Sequence, residues 1–300
     1  MKKVLVTGAA GFIAPHLIEQ CLAKNWEVVG VDISEPEGFS KMNHPRYTFQ
    51  KRDVRDLKKE DLQGTDYIFH LAFVTNIPHS IENPLPTTAD NIDMTVYLLD
   101  LAAKTGIRKF LFPSTASLYG NNPPPWREDM PPDPMEPYCW QKLSCEYACR
   151  MWYKCYSLPT TIFRFFQVFG ENQRKDTALA AFFRAKKEGR PITLTETTAQ
   201  SSFRTGQRDF IYVKDLAEAV ILVAESEKTG RGELINIGSG KVNTMEEIAQ
   251  AIGGEIVFIP KRKFEVERHE ADIALVKKLL NWSAKTDVLE WLGNFVKTLQ

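Results

Sequence analysis

The run KVLVT at residues 3–7 stops at Gly8, a second glycine follows at 11, and a helical apolar period then begins with Phe12, Ile13, Leu17, Ile18 and Leu22. A β-rich run, a glycine turn and a helix in immediate succession leave few folds open. Glycines at that turn let the backbone approach a diphosphate, while the helix start offers unpaired N–H groups and the positive end of its dipole. Residues 26–31 (WEVVGV) form the next β-rich run, which stops at Asp32. A carboxylate at the end of the second strand accepts from both hydroxyls of an adenosine ribose and repels a 2′-phosphate. The loop GAAGFIA at 8–14, followed by Asp32, therefore reads as a site for NAD rather than NADP. Ala14 stands where a third glycine is usual, and one methyl there weakens packing rather than binding.

Further strands are read at 67–71 (YIFHL), 109–112 (KFLF) and 160–165 (TTIFRF), with helical segments near 87–104 and 138–156 between them. Strands alternating with helices imply an α/β fold, a Rossmann-type doubly wound parallel sheet covered on both faces. After about Gly170 the alternation loosens. Residues 193–205 read as a polar loop, 210–213 and 234–237 as strands, and 177–188, 214–226, 244–252, 272–280 and 286–298 as helices. We expect a nucleotide-binding domain over 1–167 that carries the catalytic residues, and a smaller α/β substrate-binding domain over 168–300. The segment near 208–225 is expected to pack back on the first.

Thirty-eight basic side chains balance 38 acidic ones, so no broad electrostatic footprint for nucleic acid exists. No apolar stretch approaches the roughly 20 residues that span a bilayer. The five cysteines are Cys21, Cys139, Cys145, Cys149 and Cys155. They lack a second ligand pair with zinc spacing and read as free thiols of a cytoplasmic protein, with no metal site.

The stretch EPYCWQK at 136–142 carries Tyr138 four residues before Lys142, behind a proline suited to a helix start. On a helix the two share a face, and an ammonium beside a phenol favours the phenolate. Alone, such a pair occurs in many unrelated helices.

Order makes it specific. GAAGFIA, RDV at 52–54, HLA at 70–72, STASLYG at 114–120 and YCWQK at 138–142 are followed by RFFQVFG at 164–170 and RDFIYVKDLA at 208–217. NIGSG at 236–240 and a final KKLLNW at 277–282 complete the series. Together these resemble the extended short-chain dehydrogenase/reductase family, and within it the nucleotide-sugar epimerases and dehydratases. The resemblance implies that Phe12 and Ile13 lie against the pyrophosphate and that Asp53 and Val54 edge the adenine. Leu71, Ala72 and Phe73 would line the cofactor channel, with Asn91 approaching it from the following helix and Phe166 near the nicotinamide. It implies a catalytic set of Thr115, Tyr138 and Lys142. Arg208 and Arg262 would grip the substrate's diphosphate, with Thr75 and Gln167 near the sugar. His70 is given no chemical role.

The dehydratase branch carries an Asp-Glu pair where this chain has Ala116 and Ser117, and sugar-acid decarboxylases carry a glutamate at the second position. Both reactions are therefore disfavoured. The resemblance then implies NAD-dependent epimerisation of a nucleotide-diphosphate sugar, most simply at C4 as between UDP-glucose and UDP-galactose. An NAD(P)H-dependent reductase of a 4-keto sugar and a non-catalytic nucleotide sensor of the same fold stand as alternatives. The family pairs its helices near 90–104 and 138–156 across a two-fold axis. A homodimer is expected, with Met151, Trp152 and Tyr156 read as exposed apolar positions.

Overall fold

The computed structural model describes residues 1–198, 200–261 and 266–299. The first half of the chain supplies β1 (Lys3–Thr7), α1 (Ile13–Ala23), β2 (Glu27–Asp32), β3 (Tyr47–Lys51) and β4 (Tyr67–His70). Then follow α2 (Ile77–Glu82), α3 (Pro84–Thr88), α4 (Met94–Ala103), β5 (Lys109–Thr115), α5 (Pro137–Tyr156) and β6 (Thr160–Phe165). The second half contributes β7 (Gln167–Phe169), α6 (Ala178–Lys187), β8 (Ile192–Thr195), β9 (Gln207–Tyr212), α7 (Val213–Glu225) and β10 (Arg231–Ile237). It ends with β11 (Val242–Thr244), α8 (Met245–Ile252), β12 (Ile256–Ile259), β13 (Arg268–His269), α9 (Ala274–Leu280) and α10 (Val288–Phe295).

Seven parallel strands form one sheet in the order β10-β6-β5-β4-β1-β2-β3. Alternate side chains feed opposite faces, as a pleated strand requires. Val4 and Val6 join Leu17, Ile18, Ala217 and Val220 beneath α1 and α7. Leu5, Phe110 and Phe112 join Leu98, Leu99, Cys145 and Cys149 beneath α4 and α5. Burial on both faces explains why β4 and β5 read as nearly unbroken apolar runs. A smaller body holds β9 between β11 and β13, with β7 also beside β9. Its core brings Phe169, Phe182, Leu194, Phe210, Ile248 and Trp291 together from β7, α6, β8, β9, α8 and α10.

Residues 168–300 do not all lie in that smaller body. Strand β10 pairs with β6, Leu234 opposite Ile162 and Ile235 opposite Phe163, and α7 packs on α1. The Lys109 ammonium fastens this return. It donates to the carbonyls of Val223 and Ser226 and to Thr229 Oγ1, each at 2.8 Å, at the end of α7 where the helix dipole favours a cation. Trp152 is buried, contrary to expectation: one position from the exposed Met151 turns a side chain through about 100° on a helix, which carries it into the core. No helix among the described residues is long and apolar enough to cross a membrane.

Candidate active site

Strand order reverses around β1, with β2 and β3 to one side and β4, β5 and β6 to the other. In such sheets the crevice lies beyond the carboxyl ends of the strands at that reversal. A cleft of about 710 Å³ opens there, running from Gly8, Gly11 and Asp32 past Thr115, Tyr138 and Lys142 to Gln167 and Arg174.

Gly8 has φ +69°, and a Cβ there would stand 2.7 Å from the Ala72 nitrogen. The turn is thus pressed against the segment after β4, and only glycine fits it. The Gly11 amide closes the turn on the Gly8 carbonyl at 3.0 Å. Phe12 precedes α1 with no side-chain cap, and Phe12, Ile13 and Ala14 line the cleft, where an anion can take the first-turn N–H groups. Asp32 accepts from the Ala10 amide at 3.0 Å and the Ser34 amide at 2.9 Å, which fixes its carboxylate at the cleft wall. The residues present fit a dinucleotide diphosphate and an unphosphorylated ribose.

Ile13, Asp53, Val54, Leu71, Ala72, Phe73, Thr75, Phe166 and Gln167 all line the cleft. Asp53 is engaged by Arg55, whose Nε and Nη2 donate at 3.0 and 2.7 Å and hold its carboxyl below the usual range. Asn91 is a different case. It sits fully buried in a π-helical turn, Ala89–Asp93, joining α3 to α4. Its Oδ1 accepts from the Val74 amide at 2.7 Å, while Nδ2 donates to the Val74 carbonyl at 3.1 Å and to Gln141 Oε1 at 2.7 Å. Instead of lining the cleft, it clasps the cleft-lining segment to α5.

Helix α5 begins at Pro137, with the Glu136 carboxylate accepting from the Cys139 amide at 3.2 Å. The Tyr138 amide donates to Ser80 Oγ at 3.3 Å, and its side chain lines the cleft together with Thr115. Lys142 Nζ donates to the Pro113 carbonyl at 2.6 Å and lies 3.6 Å from the Phe73 ring centre and 4.7 Å from that of Phe112. Burial works against the lowering of the phenol pKa expected from this lysine. It pushes Tyr138 up and brings Lys142 down to about 7. Apolar walls oppose both charged forms, so the pair rests less ionised than the sequence suggests.

Two arginines are expected to grip the substrate's diphosphate. Arg208 lies outside the residues lining this cleft and donates through Nη1 to the carbonyls of Gln207 at 2.8 Å and Glu267 at 3.2 Å. Arg262 falls outside the described residues. Conversely, Arg174 lines the cleft unanticipated, donating to Thr75 Oγ1 and, through Nε at 2.9 Å, to Asp176. The signal for it was position alone, a charge in a loop just beyond strand ends. Ser80 gave none in the sequence.

Residues 4–238 match the model of the NAD dependent epimerase/dehydratase family. An uncharacterized UDP-glucose epimerase of Bacillus subtilis is 31% identical, the match spanning 99% of this chain and 98% of its own. The UDP-glucuronate 4-epimerase of Thermodesulfobacterium geofontis is 30% identical over 97% of this chain and 94% of its own. Among solved structures, a mutant of UDP-glucuronic acid 4-epimerase from Bacillus cereus, in complex with UDP-4-deoxy-4-fluoro-glucuronic acid and NAD, superposes with a TM-score of 0.89. It is 29% identical and covers 99% of this chain and 100% of its own.

Proposed function

We propose, since the chain belongs to the NAD dependent epimerase/dehydratase family, that it is an NAD-dependent 4-epimerase of UDP-sugars. The observation that carries this is Tyr138, Thr115 and Lys142 on the wall of one cleft with the glycine loop and Asp32. Bound NAD supplies a hydride acceptor at the sugar carbon and a positively charged ring. Tyr138 Oη takes the proton of the sugar C4 hydroxyl and later returns it, while the Thr115 hydroxyl orients the reacting oxygen. Lys142 brings the cation that a buried phenolate requires. Ala116 and Ser117 offer no acid for eliminating water, which supports reversible oxidation at one carbon.

The cleft lining also includes Thr75 and the Arg174–Asp176 pair. A sugar carboxylate would compete with Asp176 for that guanidinium, so the substrate panel includes a uronic acid beside neutral hexoses. The 4-epimerases of glucuronate among the relatives support the same choice. We expect protein loaded with NAD to interconvert the C4 epimers of at least one of UDP-glucose, UDP-N-acetylglucosamine and UDP-glucuronic acid. Resolved by NMR, the reaction should show no net NADH, and NADP should support it poorly because of Asp32. Stoichiometric consumption of NAD(P)H with a keto sugar, and no epimer from any member, would make the protein a reductase.

The five free thiols suit a reducing cytoplasm. We assign the exposed stripe of Trp140, Tyr147 and Met151 on α5, each about half exposed, to a homodimer contact along that helix. Sedimentation should give a dimer at micromolar concentration, and Trp140→Glu with Met151→Glu should give monomers. A monomeric unmodified protein would refute the contact.

A further inference from the structure

We propose that Phe73 is a positioning residue for Lys142: its ring face holds the ammonium against the Pro113 carbonyl while the same ring makes a T-shaped contact with Tyr138. The kinetic part of this rests on the epimerase reading; the structural part does not. Lys142 carries three donors, and the Pro113 carbonyl takes one. Much of the remaining support is aromatic. The Phe73 centroid at 3.6 Å and the Phe112 centroid at 4.7 Å lie within the range over which a ring quadrupole attracts a cation. These two rings stand edge to face at 6.2 Å and 62°. Phe73 and Tyr138 meet in a T at 6.0 Å and 80°. One side chain therefore touches both members of the proton-transfer pair.

The charged and titratable groups around the ammonium leave this role to the rings. On its own helix these are Cys145, Glu146 and Cys149, the glutamate engaged by Arg164. From β4 comes His70, fully buried between Thr7 Oγ1 at 2.8 Å and Thr95 Oγ1 at 3.1 Å, and neutral because burial and the lysine both oppose its cation. Phe73 acts on Lys142 in two opposed ways. Its bulk keeps water out, which disfavours the ammonium, and its π face favours it.

That opposition makes the test decisive. The Lys142 titration is followed by NMR on protein carrying 13C at lysine Cε, with Lys142→Arg to assign the signal. Phe73→Leu keeps the apolar bulk and loses the π face, so Lys142 should titrate about 0.5–1.5 pH units lower. Phe73→Ala admits water and should move it higher, and Phe73→Tyr should leave it in place. In turnover, the acid limb of the kcat profile should follow the same order, with Phe73→Tyr restoring the rate lost in Phe73→Leu. If leucine and alanine shift the titration in the same direction, or leucine leaves it unmoved, the ring serves only as packing and the proposal fails. Absence of any epimerisation would remove the kinetic part alone, because the titration needs no substrate.

Discussion

Tyr138→Phe is expected to lower kcat by about 10²–10⁴-fold, the span associated with losing general-base assistance, while NAD affinity stays nearly unchanged. The substitution removes one oxygen. It leaves the backbone donor to Ser80, the T-shaped contact with Phe73 and the helix start at Pro137 in place. What disappears is the hydroxyl of a residue that lines the cleft together with Thr115. Single-turnover measurement at saturating substrate, alongside calorimetric NAD binding, separates the two effects. Near-normal turnover would mean that another group accepts the proton.

Glu146→Ala should destabilise the fold by about 3–5 kcal/mol, the cost of stranding one partner of a buried ion pair. Arg164 meets Glu146 through Nε at 3.0 Å and Nη2 at 2.8 Å, with both side chains 3% exposed. The stranded guanidinium would remain beneath the Tyr119 ring, its centre 4.5 Å away, with no route to solvent. At about 2–4 °C per kcal/mol for large domains, the thermal midpoint should fall by about 6–20 °C. Pairing the change with Arg164→Met should recover much of the loss, since two apolar groups leave nothing unpaired. A drop below about 2 °C in the single variant would show that water already screens the pair.

The parts of this molecule legible in its sequence are those whose physics is local. A glycine turn between strand and helix, an acid at the next strand's end and a tyrosine one helical turn before a lysine are all set by short spacings. The central strands were legible because both faces are buried. Strand β3 was not, since YTFQK lies at the sheet edge and is only half buried. Helices α2 and α3 were blurred by Pro78, Pro84 and Pro86, yet their fold sets Ser80 under the Tyr138 amide. Arg174 and Asn91 depend on which distant segments meet, and no spacing encodes that. The same holds for Lys142, whose ammonium lies against two rings contributed by β5 and by the segment after β4.

The seventh strand has a consequence for how this chain comes off the ribosome. The glycine loop, Tyr138 and Lys142 have all emerged once β6 is made, but β6 then presents an open edge until residues 231–237 arrive to cover it. Helix α7, which shields α1, also comes late. A nascent chain halted near residue 167 would therefore display an unpaired parallel strand and a bare apolar helix face, a ready template for pairing with another chain. Strand β10 follows β7, β8 and β9 in the chain, so the central sheet can be completed only after much of the smaller body has been synthesised.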